Sequence, residues 1–173
     1  ARIENDETKM EVTACNIAEN LDASVLMFSS EAKAQGIALS LKKEIQHPYV
    51  YTDDRSLSEI ASNLLSNAVK YTAKGGSVTC LLREEPSPKE GWCTMVLSVS
   101  DTGIGISEEY REHIFEAFSR ERSSTLSGVE GSGLGLGIVK KLVDMFDGEV
   151  TVESTLGVGS TFTVSIPCRI ASY

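Results

Sequence analysis

Eight of the 14 glycines in this 173-residue chain lie between Gly128 and Gly159, and four of those eight sit in the run Gly131-Ser-Gly-Leu-Gly-Leu-Gly137. Glycine at that density asks for backbone that bends sharply or lets another group come close. The run leads into Leu134, Ile138, Leu142, Met145 and Phe146, an apolar stripe at helical spacing, so it is read as the start of a helix from about 134 to 146. Unpaired N–H groups and the helix dipole make such a start a place for an anion. No Lys-Ser/Thr pair follows as in a phosphate loop, and the strand–loop–helix setting of a dinucleotide fold is missing. A hinge would explain glycine alone, but it needs neither so many of them nor leucine at regular intervals.

The rest of the chain reads as mixed helices and strands. Residues 10–15 fit a short strand, and Asn16 with Glu19 resembles a capping box before a helix that ends at Gly36. Alternation in 37–42 and a run at 49–52 predict two strands, and Asp53 and Asp54 supply caps for the next helix. That helix carries Leu57, Ile60, Ala61, Leu64, Leu65, Ala68 and Val69 in a helical stripe and is expected to stop by Gly75-Gly76. Strands at 77–84 and 93–101 are joined by an exposed Pro-containing hairpin, a short helix follows at 108–113, and 119–131 has no periodicity. Two last strands, 148–154 and 159–166, complete an α+β pattern: a two-layer sandwich with helices on one face of a mixed, mostly antiparallel sheet.

Two further places carry polar groups where a core would not want them. At 100° per residue, Glu59, Asn63 and Asn67 align beside the apolar stripe of their helix. Asn costs several tenths of a kcal/mol in a helix interior; oxygen donors at i and i+4 can share a hard cation such as Mg²⁺, though the same residues would also suit an ordinary surface. Asp101 shares strand parity with Leu97 and Val99, so its carboxylate points toward apolar neighbours and must find donors. The exocyclic amine of a base would serve, with Gly103 and Gly105 allowing backbone to approach a flat ring; an Asx turn is the simpler alternative.

Charge limits the partners. With 16 basic and 25 acidic residues the net charge is −9 and there is no Lys/Arg run, which argues against nucleic acid and against direct contact with an anionic membrane. No apolar stretch approaches the roughly 18 residues of a membrane-spanning helix. Cys15, Cys80, Cys93 and Cys168 form no C-x-x-C pair and read as reduced, packed thiols.

Together these features resemble one family. Asn63-Leu-Leu-Ser-Asn67-Ala-Val-Lys70-Tyr71-Thr is similar to the N box, Asp101-Thr-Gly-Ile-Gly to the G1 box, Ile114-Phe-Glu-Ala-Phe118 to the F box and Gly131-Ser-Gly-Leu-Gly-Leu to the G2 box of the catalytic ATP-binding domain of sensor histidine kinases. Gly157-Val-Gly-Ser-Thr-Phe162 resembles that family's last hairpin. The superfamily also contains the ATPases of type II topoisomerases, heat-shock-90 chaperones and MutL proteins. The resemblance implies a Bergerat-type ATP-binding fold over residues 10–168, with a lid at 119–132, a linker at 1–9 and a tail at 169–173. It implies ATP and Mg²⁺ as cofactors, with Asn67 as the Mg²⁺ ligand, Asn63 beside it, Lys70 on phosphate and Tyr71 against the adenine. Asp101 would accept the adenine amine. Gly103, Gly105 and Ile106 would shape that pocket, and Gly131, Ser132, Gly133, Leu134, Gly135 and Leu136 would line the phosphates. Phe118 and Thr161 are counted with the site as well, while Arg120 and Arg122 of the lid stand between phosphate contact and plain solvation.

The same resemblance separates kinase from hydrolase. In the hydrolase branches the residue four before the metal Asn is a water-activating Glu; here it is Asn63, which cannot act as a general base. Glu59 lies a further turn back, about 6 Å along the axis. The γ-phosphoryl group is then left for a nucleophile outside this chain, since neither His47 nor His113 stands in a His-Glu/Asp-x-x-x-Pro setting. The expectation is a protein-histidine kinase domain of a two-component system. Its partners would be the dimerisation and histidine-phosphotransfer domain of the same parent and a response regulator, and its place the cytoplasm, with a parent anchored in the cell membrane. An ATP hydrolase or clamp, and a Ser/Thr kinase of the anti-sigma type, are the alternatives.

Overall fold

Two side chains set where the long helices begin. In a computed structural model describing residues 10–115 and 133–171, Asn16 accepts a hydrogen bond from the Glu19 amide at 3.0 Å and Asp53 accepts one from the Ser56 amide at 3.0 Å. Each satisfies an N–H that the first helical turn leaves unpaired. The first opens α1 (Ile17–Ala34) and the second α2 (Asp54–Lys70). α1 ends at Gln35, and Gly36 follows with φ of 75°. α2 ends at Tyr71, five residues before Gly76, because Thr72 turns its hydroxyl back onto the Ala68 carbonyl at 2.7 Å and the chain leaves the helix there. Two more helices are α3 (Glu108–Arg111) and α4 (Gly133–Met145).

Seven strands make one sheet: β1 (Thr13–Asn16), β2 (Ala38–Glu44), β3 (Tyr49–Thr52), β4 (Ser77–Pro86), β5 (Trp92–Asp101), β6 (Glu149–Thr155) and β7 (Gly159–Ile170). Their order is β1-β3-β7-β5-β4-β2, with β6 also on β7. β2 and β4 run parallel; every other pairing is antiparallel. β7 is the spine. One edge lies along β5, and the other is divided between β6, which pairs as far as Ser165, and β3, which begins at Arg169.

That division corrects the expected end of the last strand. Pro167 lacks an N–H and would break a central ladder. The Ile170 amide donates to Gly91 on the β5 side, so by alternation the nitrogen of Pro167 turns to the opposite edge, into the gap between β6 and β3 where no bond is asked of it. The strand therefore continues to Ile170. Residues 169–171 are not a tail: Arg169 and Ile170 pair with Tyr51 and Val50, and Ala171 is buried. The rest of that segment, 172–173, and the expected linker at 1–9 lie outside the described residues.

Strand parity sorts the two faces. Val78, Cys80 and Leu82 of β4, Cys93, Met95 and Val99 of β5, and Phe162, Val164, Ile166 and Cys168 of β7 all sit in the core with Ile60, Leu64 and Leu65 of α2 and Val139 and Val143 of α4. Burial pushes the thiols of Cys80 and Cys168 up to about 12 and that of Cys93 to about 11, so all three are packed in the neutral form. The opposite face is mostly polar, with Ser100 against Thr161 at 2.9 Å and Ser98 against Thr163 at 3.4 Å. The result is the expected α+β sandwich, with the helices on one face of a mixed sheet.

Candidate functional site

The C-terminal half of α2, the start of α4, the end of β5 and the loop after it meet at one end of the sheet. Asn67, on the stripe of α2 that enters the core, is 6% exposed, and its Nδ2 is buried with no hydrogen-bond partner among the described residues. Buried polar atoms are paired in the great majority of cases, so this donor and the Thr52 hydroxyl are the two exceptions among the described residues, and of the two only Asn67 lies at this end of the sheet. One turn earlier, Asn63 donates from Nδ2 to the Glu59 carbonyl at 2.8 Å, which turns its Oδ1 outward. Gly135 of α4 faces that oxygen: a Cβ on Gly135 would stand 2.8 Å from it. The glycine lets α4 come down on Asn63.

Asp101 ends β5 on the core-facing parity, as its spacing from Leu97 and Val99 predicts. Its Oδ1 accepts from the Gly103 amide at 2.8 Å and the Ser160 amide at 3.3 Å. Oδ2 carries no hydrogen bond among the described residues. Burial raises the carboxyl above its ordinary value of 3.8, against the lowering effect of those two amides. The loop after it is held against the end of α2: the Ile104 amide donates to the Tyr71 carbonyl at 3.2 Å, and a Cβ on Gly103 would lie 2.3 Å from that same oxygen. No other residue fits at 103. Gly105 takes φ of 76° and lies flat against the Thr155 carbonyl. Lys70, exposed at the last position of α2, has its Nζ 5.6 Å from the centre of the Tyr71 ring.

Most of the residues singled out in the sequence are thus neighbours: Asn63, Asn67, Lys70, Tyr71, Asp101, Gly103, Gly105, Ile106 and Gly135. Two are not placed as expected. Thr161 lies on the opposite face of the sheet, bonded to Ser100, because the alternation that turns Phe162 inward turns its neighbour outward. Its neighbour Ser160 pairs with Asp101 and is 7% exposed. Leu136 is 4% exposed in the core with Val139 and Val143, so its side chain faces the sheet. Gly133 and Leu134 open α4 in the helical backbone. Phe118, Gly131, Ser132, Arg120, Arg122 and the expected lid lie outside the described residues. Ser154 was not read from the sequence at all, and its polar contacts make it a hub: its Oγ accepts from the Ile106 amide at 2.7 Å and lies 2.8 Å from the Ser160 Oγ, and its carbonyl accepts from Arg111 at 3.2 Å.

His47 is elsewhere, at the far end of the sheet. Its ring Nδ1 meets Glu84 Oε2, and the amides of Gln46 and His47 donate to Glu84 Oε1 at 2.9 and 2.8 Å. This is a structural clasp between the β2–β3 loop and β4. His113 is in the turn after α3, its amide donating to the Tyr110 carbonyl at 2.9 Å.

Comparison with known proteins gives the family and the fold. The family described as histidine kinase-, DNA gyrase B-, and HSP90-like ATPase matches residues 52–170. The autoinducer 2 sensor kinase/phosphatase LuxQ of Vibrio parahaemolyticus serotype O3:K6 is 34% identical over 170 residues, covering 98% of this chain and 20% of that protein. The sensor histidine kinase RppB of Synechocystis sp. is 33% identical over 167 residues, 96% of this chain and 36% of that one. The chain therefore spans between a fifth and about a third of the length of these relatives. Among solved structures, full-length ShkA in complex with AMPPNP superposes with a TM-score of 0.78 at 29% identity, over 95% of this chain and 33% of that one. The nucleotide-free catalytic domain of histidine kinase ThkA gives 0.75 at 24% identity, over 91% of this chain and 96% of that domain, a likeness of fold.

Proposed function

The chain belongs to the family of histidine kinase-, DNA gyrase B-, and HSP90-like ATPases, and from that premise we propose that it is the ATP-binding catalytic domain of a two-component sensor histidine kinase. Asp101 Oδ2 accepts the adenine amine, the Gly103–Ile106 loop and Tyr71 border the base, and the triphosphate runs from there toward Lys70, Asn63 and the start of α4. The observation that carries the reading is the buried, unpaired Nδ2 of Asn67, a donor that a phosphate oxygen would satisfy, one helical turn from the Asn63 oxygen that Gly135 approaches.

This donor set suits Mg²⁺ together with phosphate. Asn67, with Asn63 beside it, would hold the ion through amide oxygens, few enough to leave it its waters and the phosphate oxygens. Bound there, Mg²⁺ neutralises phosphate charge. The chain's own part is to hold the nucleotide in line and to supply N–H groups and Lys70 to the phosphates, which is where most of the acceleration of a phosphoryl transfer comes from.

Asn63 has no basic group to activate water, and the likeness to sensor histidine kinases points to an imidazole as the acceptor. A ring nitrogen of a His on the parent's dimerisation domain supplies the electron pair for the new N–P bond, the β–γ bridging P–O bond breaks, and ADP leaves with its electrons. The phosphoryl group then passes to an Asp of a response regulator. No helix among the described residues is long and apolar enough to cross a membrane; the domain works on the cytoplasmic side of a parent whose anchor and sensor lie in the remaining length of the chain.

Incubation of this chain with γ-labelled ATP, Mg²⁺ and the separately produced histidine-bearing domain tests the reading. Acid-labile label on that domain is expected, with none on this chain. Steady phosphate release without transfer, or acid-stable label, would assign it instead to the hydrolase or Ser/Thr kinase branch.

A further inference from the structure

The end of α2 is decided by an exchange of hydrogen-bond partners. A helix leaves its last carbonyls without intrahelical N–H groups, and other donors must supply them. Had α2 run on, the Ala68 carbonyl would take the amide of residue 72 and the Tyr71 carbonyl the amide of residue 75. Neither bond forms. The Thr72 hydroxyl donates to the Ala68 carbonyl at 2.7 Å in place of the residue's own N–H. The Gly75 amide donates instead to the Gly36 carbonyl at 2.9 Å, and the Tyr71 carbonyl takes the Ile104 amide at 3.2 Å. The methyl group of Thr72 and the hydroxyl of Thr102 both stand against Gly76, where a Cβ would lie 2.5 and 2.7 Å from them. Thr102, between Asp101 and Gly103, is in turn bound twice to Ser77: its amide donates to the Ser77 carbonyl at 3.1 Å and its hydroxyl accepts from the Ser77 amide at 3.0 Å.

We infer that Thr72 is a positioning residue for the nucleotide site: its hydroxyl stops α2 where the Tyr71 carbonyl can hold the loop after β5. That contact joins the two halves of the site. Asn67, Lys70 and Tyr71 lie on one side of it, and Asp101 and Gly103 on the other. The Tyr71 oxygen sits so close to Gly103 that a Cβ there would be 2.3 Å away, and a helix that ran on would withdraw it from the loop. Thr72 itself is 6% exposed and spends its hydroxyl proton inside the chain, so it acts through Tyr71. Packing alone does not call for a hydroxyl at this place. Valine would fill the same space, and a continuing helix would satisfy the Ala68 carbonyl with backbone. The inference rests on the nucleotide reading above.

Thr72→Val, which keeps the shape and removes the hydroxyl, returns the Ala68 carbonyl to the backbone amide and lets α2 lengthen. Hydrogen exchange of the Ile104 amide should then quicken about tenfold while the β5–β7 ladder is unchanged, and the Kd for Mg²⁺–ATP by calorimetry should rise about tenfold, the worth of one hydrogen bond. Thr72→Ser, which keeps the hydroxyl, should restore both. A merely structural Thr72 would lower the melting temperature and quicken exchange across the sheet alike. That pattern, or an unaltered ATP affinity in the folded variant, overturns the inference. Should Thr72→Val not fold, Thr72→Ala, small and the strongest helix former, answers the same question by the same two measurements. The exchange measurement needs no nucleotide, so a quickened Ile104 amide in a chain whose unaltered form binds no ATP would sink the nucleotide reading and not the role of Thr72 in stopping the helix.

Discussion

The β4–β5 ladder has a carboxylate near each end, and the fold treats the two in opposite ways. At one end Glu84 accepts two backbone amides on Oε1 and the His47 ring on Oε2. Burial alone would raise its carboxyl, but the His47 ring, the two amides and the attraction of the His47 charge lower it. At the other end Asp101 receives both of its amides on one oxygen, and burial wins, raising it. A saturated carboxylate has nothing left to bind with, whereas one that is half saturated and held above its ordinary value gains from any N–H that arrives. The same contrast holds for the nitrogen groups, since the His47 ring has its partner and the Asn67 amide nitrogen has none among the described residues. Completeness of hydrogen bonding, more than polarity or burial, separates the clasp from the site.

The sharpest way to break that comparison is Asn67→Ala. It removes an unpaired buried donor, so the fold should lose little, while nucleotide affinity in Mg²⁺ should fall about 100-fold, as for groups that hold a metal in place. Calorimetry beside a thermal melt checks both halves; unaltered affinity would remove the residue from the site. Glu84→Ala should behave in the reverse sense. It leaves two amides and a ring nitrogen unpaired and should cost about 2 kcal/mol of unfolding free energy by denaturant titration, with ATP affinity unchanged.

The smallest effect is in the pH dependence, and the two ends should carry opposite signs. Glu84 is depressed in the fold, so its contribution is present above its ordinary 4.5 and is lost as pH falls through the folded value. Asp101 is raised, so protonation is favoured in the fold; its contribution is greatest below its ordinary 3.8 and declines as pH rises through the folded value. Melting temperatures across the acid range should therefore fall less steeply in Glu84→Gln than in the unaltered chain, and more steeply in Asp101→Asn. Parallel curves for all three would show that the two carboxylates do not differ as their hydrogen bonds suggest.

Much of the site was legible before any fold was known, because its signals are local. Asn63 and Asn67 are one turn apart on any helix, and the caps at Asn16 and Asp53 act within three residues of themselves. Asp101 shares parity with Leu97 and Val99 in any strand. Ser160 was legible too: it alternates with Phe162, Val164 and Ile166, and that parity already separates it from Thr161. That Ser160 meets Asp101 needed the neighbouring strand, since parity says which residues share a face but not which residue of another strand they meet. The helical spacing of Leu136 to Val139 and Val143 already points its side chain into the core, so only its backbone is left for a nucleotide.

By itself, then, the sequence determined the kinds of element, their boundaries to within a few residues, and the chemistry available on each: amides on a helix stripe, a carboxylate at a strand end, glycine at a helix start. These follow from steric and hydrogen-bonding rules that reach only a turn or two along the chain. The tertiary structure decided register and closure. It set Ser154 and Ser160 on the rung of Asp101, let β7 run past Pro167 by leaving a gap between two partner strands, filled both oxygens of Glu84 and left Asn67 unfilled. Those outcomes depend on pairings between residues as much as 120 positions apart, as between Val50 and Ile170, and pairing over such distances is settled by the packing of the whole sheet against its helices.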